Sequence, residues 1–222
     1  MRKEIDDQID LNVLIDPITN KSRFINDNIE LDLELIKPCR YLYIIACGSS
    51  YYAGLLASNY FRFCGAFEFV NVFDACEFSK IHLENIENPK DNLLILLISQ
   101  SGETRDLNLA TSIIREYSKN NIKNRLLTLP KENFLGENIE ENVIKNEIKI
   151  IGIINVIGSL ISRRMIKNIY TNSLRENCVC STKSCTSQIL SCLMLAIYKS
   201  NLNDKLNIKI KNKFNNDLLT LK

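Results

Sequence analysis

Two short apolar runs, each ending abruptly in a polar turn, constrain the fold of this chain most strongly. Residues 41–46 (YLYIIA) and 93–98 (LLILLI) show no alternation of polar and apolar residues, which is typical of strands buried on both faces of a parallel sheet. The turn Cys47-Gly48-Ser49-Ser50 follows the first run, and Ser99-Gln100-Ser101-Gly102-Glu103-Thr104 follows the second. Such turns, placed directly after buried strands, predict strand-to-helix connections at the carboxyl edge of a sheet.

The rest of the chain alternates between strand and helix periodicity. Strand patterns recur at 67–73 and 150–156, and apolar residues recur at helical spacing in 51–63, 105–118 and 185–198. Strands that alternate with helices predict a parallel sheet covered on both faces by right-handed crossovers. We therefore expect an α/β fold with a doubly wound, mostly parallel five-stranded sheet.

The length of 222 residues suits one domain with extensions. We expect a polar lead-in segment at 1–34, the folded domain at 35–200 and a polar C-terminal extension at 201–222. An Asn- and Lys-rich stretch at 120–146 is longer than a helix-to-strand connection needs. We interpret it as an insertion.

Charge and hydropathy give no sign of a nucleic-acid or membrane partner. Lys and Arg number 28 against 26 Asp and Glu, a net charge of +2. The N-terminus is charged where a signal peptide needs an apolar core, and no apolar run approaches the ~20 residues of a membrane span. We expect a cytoplasmic protein.

The eight cysteines include no Cys-x-x-Cys pair, and His82 is the one histidine in the chain. A zinc site would need several thiolates from scattered positions. We interpret the cysteines as reduced residues of the core rather than as metal ligands or disulfides, and His82 as a solvated loop residue. We expect no metal site.

The two serine-rich turns are candidate ligand sites. In an open parallel sheet ligands bind beyond the carboxyl ends of the strands, and a phosphate group accepts hydrogen bonds from hydroxyls and from the N–H groups of a helix's first turn. The alternative is that these residues only cap helices. A third cluster, Ser181-Thr182-Lys183-Ser184, precedes the last helix and has the same two interpretations. Within it, Lys183 is either a site cation or an exposed lysine.

Tyr51 and Tyr52, at the start of the first helix, are expected to pack rather than to bind ligand.

Four blocks of the sequence resemble the isomerase region of the glucosamine-6-phosphate synthase family. They are Cys47-Gly48-Ser49-Ser50-Tyr51-Tyr52-Ala53-Gly54, Ser99-Gln100-Ser101-Gly102-Glu103-Thr104, Asn155-Val156-Ile157-Gly158-Ser159 and Val179-Cys180-Ser181-Thr182-Lys183-Ser184. Residues 1–8 (MRKEIDDQ) resemble the segment that opens this region just after the glutaminase domain. The resemblance points to the first sugar isomerase (SIS) domain, a flavodoxin-like three-layer sandwich.

The resemblance implies a function. The family converts fructose 6-phosphate to glucosamine 6-phosphate with ammonia from glutamine, without a metal or organic cofactor. On matching positions, Ser99, Gln100, Ser101 and Thr104 would hold the phosphate. Ser49 and Ser50 would contact phosphate or sugar hydroxyls, and Ser181 would line the sugar side.

No catalytic residue is expected within this chain. The family's proton-transferring glutamate, imine-type lysine and ring-opening histidine lie in a second SIS domain, and its glutaminase cysteine lies in the N-terminal domain. The second SIS domain and the glutaminase domain are expected as partner domains of this chain. The whole assembly is expected to be a homo-oligomer. Glu103, at the start of a helix, is expected to stabilise the helix dipole rather than to act as a base.

Three departures from the family pattern affect this hypothesis. Ser49 replaces a threonine, Arg164 follows Arg163 where a glutamate is usual, and residues 173–178 lack the usual glycine and small residues. A stand-alone sugar-phosphate sensor and a remnant without a ligand therefore stay as alternatives.

Overall fold

A computed structural model of the chain describes Lys3 and residues 36–84, 93–128, 148–178 and 180–202. The lead-in segment predicted at 1–34 lies outside the described residues except for Lys3. The same is true of residues 129–146 of the predicted insertion and 203–222 of the C-terminal extension.

Five strands and five helices alternate through the described residues. In chain order they are β1 (Tyr41–Ala46), α1 (Ser49–Phe63), β2 (Phe69–Asp74), α2 (Ile81–Glu84), β3 (Leu93–Ser99), α3 (Arg105–Thr128), β4 (Lys149–Ile154), α4 (Leu160–Arg164), β5 (Lys167–Tyr170) and α5 (Lys183–Leu202). The strand order is β2-β1-β3-β4-β5, and every neighbouring pair is parallel. The predicted α/β class with a five-stranded sheet is confirmed, and the sheet is fully parallel.

The order of strands places a reversal point between β1 and β3. From β1 the chain moves outward to β2, then returns to β3 on the other side of β1 and continues to β4 and β5. The last paired residues of this central pair are Ala46 and Ile98. The turns that follow β1 and β3 therefore leave the sheet side by side, where open α/β sheets leave a crevice for ligands.

The sheet is buried on both faces because alternate strand residues enter two different cores. On β1, Leu42 and Ile44 pack in one core while Tyr43 and Ile45 pack in the other. The first core is covered by residues of α1 and α5, among them Phe61 and Leu195. The second is covered by α2, α3 and α4, which contribute Leu83, Leu107, Ala110, Ile114 and Ile161. This three-layer arrangement explains why the central strands carry continuous apolar runs.

Three short elements, α2, α4 and β5, are absent from the sequence prediction. β5 has the sequence Lys-Asn-Ile-Tyr, of which Ile169 alone is buried, so it has neither an apolar run nor a full period of alternation. Helix α3 also extends ten residues beyond the predicted end at 118, to Thr128.

His82 and several cysteines differ from their predicted environments. His82 is partly buried in α2 rather than solvated in a loop, and its ring packs against Phe73 and Phe78 with centroid distances of 4.7 and 5.6 Å. All eight cysteines are free thiols, but Cys39, Cys64 and Cys192 are the buried ones, and the other five are partly or fully exposed. The interpretation of the cysteines as core residues therefore holds for three of them.

Candidate functional site

The first serine-rich turn begins α1 without a side-chain cap. Gly48 is the N-cap residue, with φ 57° and ψ −130°, and no side chain accepts a capping hydrogen bond. This left-handed φ favours glycine. Ser49 is exposed and Ser50 is 7% exposed. Helix capping therefore does not account for the two serines, and the first turn of α1 holds no acidic residue that would repel an anion.

Cys47, which opens this turn, is a poor nucleophile. Burial, with smaller contributions from Asp74 and Asp106, raises the pKa of the Cys47 thiol to about 11. The thiolate is the reactive form of cysteine, so Cys47 stays a neutral thiol near pH 7.

In the second turn, hydroxyl groups stabilise the backbone. Ser99 Oγ accepts a hydrogen bond from Gly102 N at 3.0 Å and lies 3.3 Å from Thr104 Oγ1. Ser101 Oγ accepts a hydrogen bond from Glu103 N at 3.1 Å, an interaction that leaves the hydroxyl hydrogen of Ser101 able to donate. The capping alternative is thus partly correct here, because Ser99 and Ser101 both hold the shape of the turn.

Three hydrogen bonds attach the second turn to the segment after β4. Asn155 N donates to Gln100 O at 3.3 Å, and Ile161 N donates to Gly102 O at 3.0 Å. Leu160 N donates to a carboxylate oxygen of Glu103 at 2.8 Å. Since Leu160 is the first residue of α4, the carboxylate of Glu103 acts at the N-terminus of that neighbouring helix.

Gly102 brings the second turn against Ser159. Its φ is +66°, and a Cβ atom at this position would lie 2.0 Å from Ser159 Oγ and 2.6 Å from Ser159 Cβ. Ser159 is 3% exposed, and its Oγ has no hydrogen-bond partner among the described residues. Both the conformation and the close contact require glycine.

The third cluster is organised by Glu176, a residue that sequence reasoning did not assign to the site. A carboxylate oxygen of Glu176 accepts hydrogen bonds from Thr182 N at 2.7 Å and Thr182 Oγ1 at 2.8 Å, and Ser181 Oγ lies 3.5 Å from the other oxygen. Partial burial raises the pKa of Glu176, but hydrogen bonds from Ser184 and Thr182 outweigh it, so its pKa lies below its usual value. Glu176 therefore places a negative charge at the start of α5.

Asn155 opens one of the four blocks quoted above, but sequence reasoning gave it no role. Its Oδ1 accepts hydrogen bonds from Thr171 Oγ1, Ser173 N and Ser173 Oγ at 3.0, 2.8 and 3.0 Å, and its Nδ2 donates to Leu174 O at 2.9 Å. Asn172 and Leu174 have positive φ values of 50° and 60°. Asn155 thus holds a turn with positive φ values within residues 171–174.

The N-terminus of α5 lies next to the first turn, because Cys185 Sγ is 3.9 Å from Ser49 O. The structure therefore brings the third cluster to the same edge of the sheet as the other two. Of the predicted site residues, Ser50 and Ser99 are buried. Ser49, Gln100, Ser101, Thr104 and Ser181 are partly or fully exposed.

Five further residues occupy informative positions. Lys183 is 7% exposed, so its interpretation as an exposed lysine is wrong. Tyr51 packs against the first core, whereas Tyr52 is 69% exposed and packs edge-on against the Tyr51 ring, with the ring centroids 5.6 Å apart. Arg163 Nε donates to Gly158 O at 2.6 Å, and Arg164 lies 3.5 Å from Ser112 Oγ on α3, away from the serine-rich turns.

Metal-ligand clusters and membrane-spanning helices are both absent from the described part of the chain. No group of three or more His, Cys, Asp or Glu side chains in it is placed to hold a metal ion. None of its helices is long and apolar enough to cross a membrane.

Comparison with known proteins agrees with the geometry. Residues 35–138 match the SIS domain model. The chain is 33% identical over 173 residues to the probable glutamine–fructose-6-phosphate aminotransferase (isomerizing) of Acanthamoeba polyphaga mimivirus, a match that covers 78% of the chain and 22% of that protein. It is 31% identical over 175 residues to the glutamine–fructose-6-phosphate aminotransferase (isomerizing) of Clostridium tetani, covering 78% and 23%. The chain thus spans about a quarter of the length of these relatives.

A solved structure shares the fold. The C-terminal domain of glucosamine-fructose-6-phosphate aminotransferase from Francisella tularensis superposes with a TM-score of 0.66 at 22% identity, covering 98% of this chain and 51% of that one.

Proposed function

Because the chain carries an SIS domain over residues 35–138, we propose that it is the fructose 6-phosphate-binding half of the isomerase region of a glutamine-dependent aminotransferase. The product of that reaction would be glucosamine 6-phosphate, used in amino-sugar synthesis. The proposal extends to this chain the activity that names its curated relatives.

One observation carries the proposal, namely the convergence of three hydroxyl-bearing turns at the reversal point of the sheet. Strands β1 and β3 are direct neighbours, so their following turns start about 5 Å apart. The third cluster joins them through the contact between Cys185 and Ser49. An ester phosphate needs several donors from different directions, which one capped helix does not provide.

We assign the phosphate to the second turn and the start of α1. Ser101 is the main hydroxyl donor, since its oxygen is held by Glu103 N while its hydrogen stays available. Gln100 and Thr104 lie beside it, and Ser99 acts through the shape of the turn. Ser49 and Ser50 contact phosphate or sugar hydroxyls from α1. Ser181 lines the sugar side.

Turnover would require groups from other domains. In this proposal a second SIS domain supplies the proton-transferring glutamate and the lysine, and a glutaminase domain supplies ammonia. No metal or organic cofactor takes part. We place the assembly in the cytoplasm as a homo-oligomer.

Calorimetric titration of the purified full chain tests the binding function. Fructose 6-phosphate and glucosamine 6-phosphate should both bind, whereas inorganic phosphate and unphosphorylated fructose should not bind at similar concentrations. A folded chain that binds neither hexose phosphate at millimolar concentration overturns the proposal.

Substitution of Ser101 tests the assignment of residues. Ser101→Ala should weaken fructose 6-phosphate binding by about 1–3 kcal/mol, because it removes a hydrogen bond to a charged group. Ser112→Ala is the matched control, since Ser112 is an exposed serine on α3 whose hydroxyl donates to Asn108 O. Equal affinities for the two variants would refute the role of Ser101.

A sensor function is the second candidate. Glu103 is the carboxylate of the second turn, and its bond to Leu160 N occupies it structurally, which favours binding without turnover by this chain alone. Addition of a second SIS domain should yield hexosamine phosphate from fructose 6-phosphate and ammonia if the aminotransferase proposal is correct. Binding without any turnover in that mixture would favour the sensor.

A further inference from the structure

The N-termini of α1, α3 and α5 all lie at the carboxyl edge of the sheet, but they are not equivalent for an anion. Each helix start presents N–H groups and the positive end of a dipole, so each attracts negative charge. The first turn of α1 holds no acidic residue and no side-chain cap. The first turn of α3 holds Asp106, with the serines of the second turn preceding it.

At α5 the position that an external anion would take is already filled. The carboxylate of Glu176 accepts hydrogen bonds from both the N–H and the hydroxyl of Thr182, the residue before the helix. Thr182 O in turn accepts Thr186 N at 3.1 Å, so Thr182 is the N-cap residue. Its hydroxyl donates to Glu176, and the chain's own carboxylate therefore takes the place of a bound anion.

The negative charge of Glu176 at the start of α5 makes the two ends of the site different, because the start of α1 holds no acidic residue. The start of α5 contacts the start of α1 through Cys185 and Ser49, so Glu176, which is bonded to Thr182 at the start of α5, lies on the α5 side of the site. The phosphate of the ligand is favoured at α1 and the second turn. Any second phosphate near α5 would meet the negative charge of Glu176, and the N–H and hydroxyl donors of Thr182 there are already used. Neutral sugar hydroxyls, in contrast, donate readily to carboxylate oxygens.

We propose that Glu176 is a specificity residue that admits sugar monophosphates in one orientation and rejects sugar bisphosphates. The inference rests on the proposed sugar-phosphate function and adds to it the exclusion of bisphosphates and the direction of the bound ligand. Glu176 acts by charge and by occupying donors, which distinguishes this role from a merely structural one.

The test compares fructose 6-phosphate with fructose 1,6-bisphosphate by calorimetry on the full chain. The wild type should prefer the monophosphate by at least about tenfold. Glu176→Gln keeps the size and one acceptor oxygen but removes the charge, and should reduce this preference by about tenfold, mainly through tighter binding of the bisphosphate. Glu176→Asp, which keeps the charge, should restore the preference.

Glu116→Gln is the matched control, because Glu116 is an exposed carboxylate about three turns into α3. It should leave the preference unchanged. A wild type that binds both ligands equally, or a folded Glu176→Gln variant with an unchanged preference, overturns this inference and leaves the proposed function standing. A wild type that binds neither ligand overturns both. If Glu176→Gln fails to fold, Glu176→Ala takes its place as the neutral variant, and an unchanged preference in that variant overturns the inference.

Discussion

The carboxylate of Glu103 accepts a hydrogen bond from the backbone N–H of Leu160 at 2.8 Å, which joins the second serine-rich turn to the N-terminus of α4. The sequence analysis expected Glu103 to stabilise the dipole of the helix that follows it in the chain, α3. In the structure Glu103 instead accepts a hydrogen bond from Leu160, the first residue of α4, which lies 57 positions further along the chain. The contact is one of three between the turn and the segment after β4, so the geometry of the turn depends on that segment.

We predict that Glu103→Ala destabilises the protein by about 1 kcal/mol, the usual cost of losing a helix cap. Urea unfolding followed by circular dichroism measures the change. Glu116→Ala, at an exposed position of α3, should change stability by less than about 0.5 kcal/mol. Similar losses for both variants would show that the bond to Leu160 contributes no stability.

Gly102→Ala should be strongly destabilising, by roughly 2–4 kcal/mol, because it combines a left-handed φ with a Cβ placed 2.0 Å from Ser159 Oγ. Gly158→Ala isolates the first effect, since Gly158 has φ +74° but no atom within 4 Å of its added Cβ; it should cost about 1 kcal/mol.

Ser159→Gly provides the second control for Gly102. Combined with Gly102→Ala it removes the clashing side chain, so the double variant should recover the steric part of the loss. Urea unfolding of the four proteins of this double-mutant cycle gives the coupling energy. A coupling energy near zero would contradict the close contact.

Leu174→Gly should stabilise the protein by about 0.5–1 kcal/mol. Leu174 has φ 60° and is 76% exposed. Glycine at this position therefore relieves backbone strain of about 1–2 kcal/mol and loses little packing. The greater conformational entropy of glycine in the unfolded chain offsets part of this gain. Thermal unfolding measures the effect. Leu109→Gly is the contrasting control, because Leu109 is 60% exposed within α3 and should lose about 1 kcal/mol. A loss at both positions would argue against strain at Leu174.

Acidification should reduce the contribution of Glu176 to stability. Its pKa in the folded protein is lowered from 4.5 because hydrogen bonds from Ser184 and Thr182 outweigh burial. The charged form therefore stabilises the fold above about pH 4.5, and this contribution is lost as pH falls through the lower folded pKa. The difference in unfolding free energy between wild type and Glu176→Gln should be constant near neutral pH and shrink below pH 4.5. A difference that stays constant to pH 3 would contradict this assignment.

The missed elements and residues share a physical cause. β5 has one buried residue, Ile169, since it pairs at the edge of the sheet and is held by β4 rather than by its own pattern. Asn155 and Glu176 act through partners 5 to 19 positions away along the chain. A local pattern does not reveal such contacts. The departure at 173–178 did mark the segment as unusual, and the structure shows Asn155 bonded to its first residues.

The sequence by itself determined the fold class, the central strands and the two serine-rich turns, because these features arise from local periodicity and from turn chemistry that does not depend on distant residues. The tertiary structure decided which hydroxyls remain available and where negative charge lies at the carboxyl edge. Ser99 is used within its own turn, Glu103 bonds to α4, and Glu176 occupies the start of α5. A hydroxyl or N–H group that donates to one partner is not available to a ligand, and that partner is fixed when the chain packs.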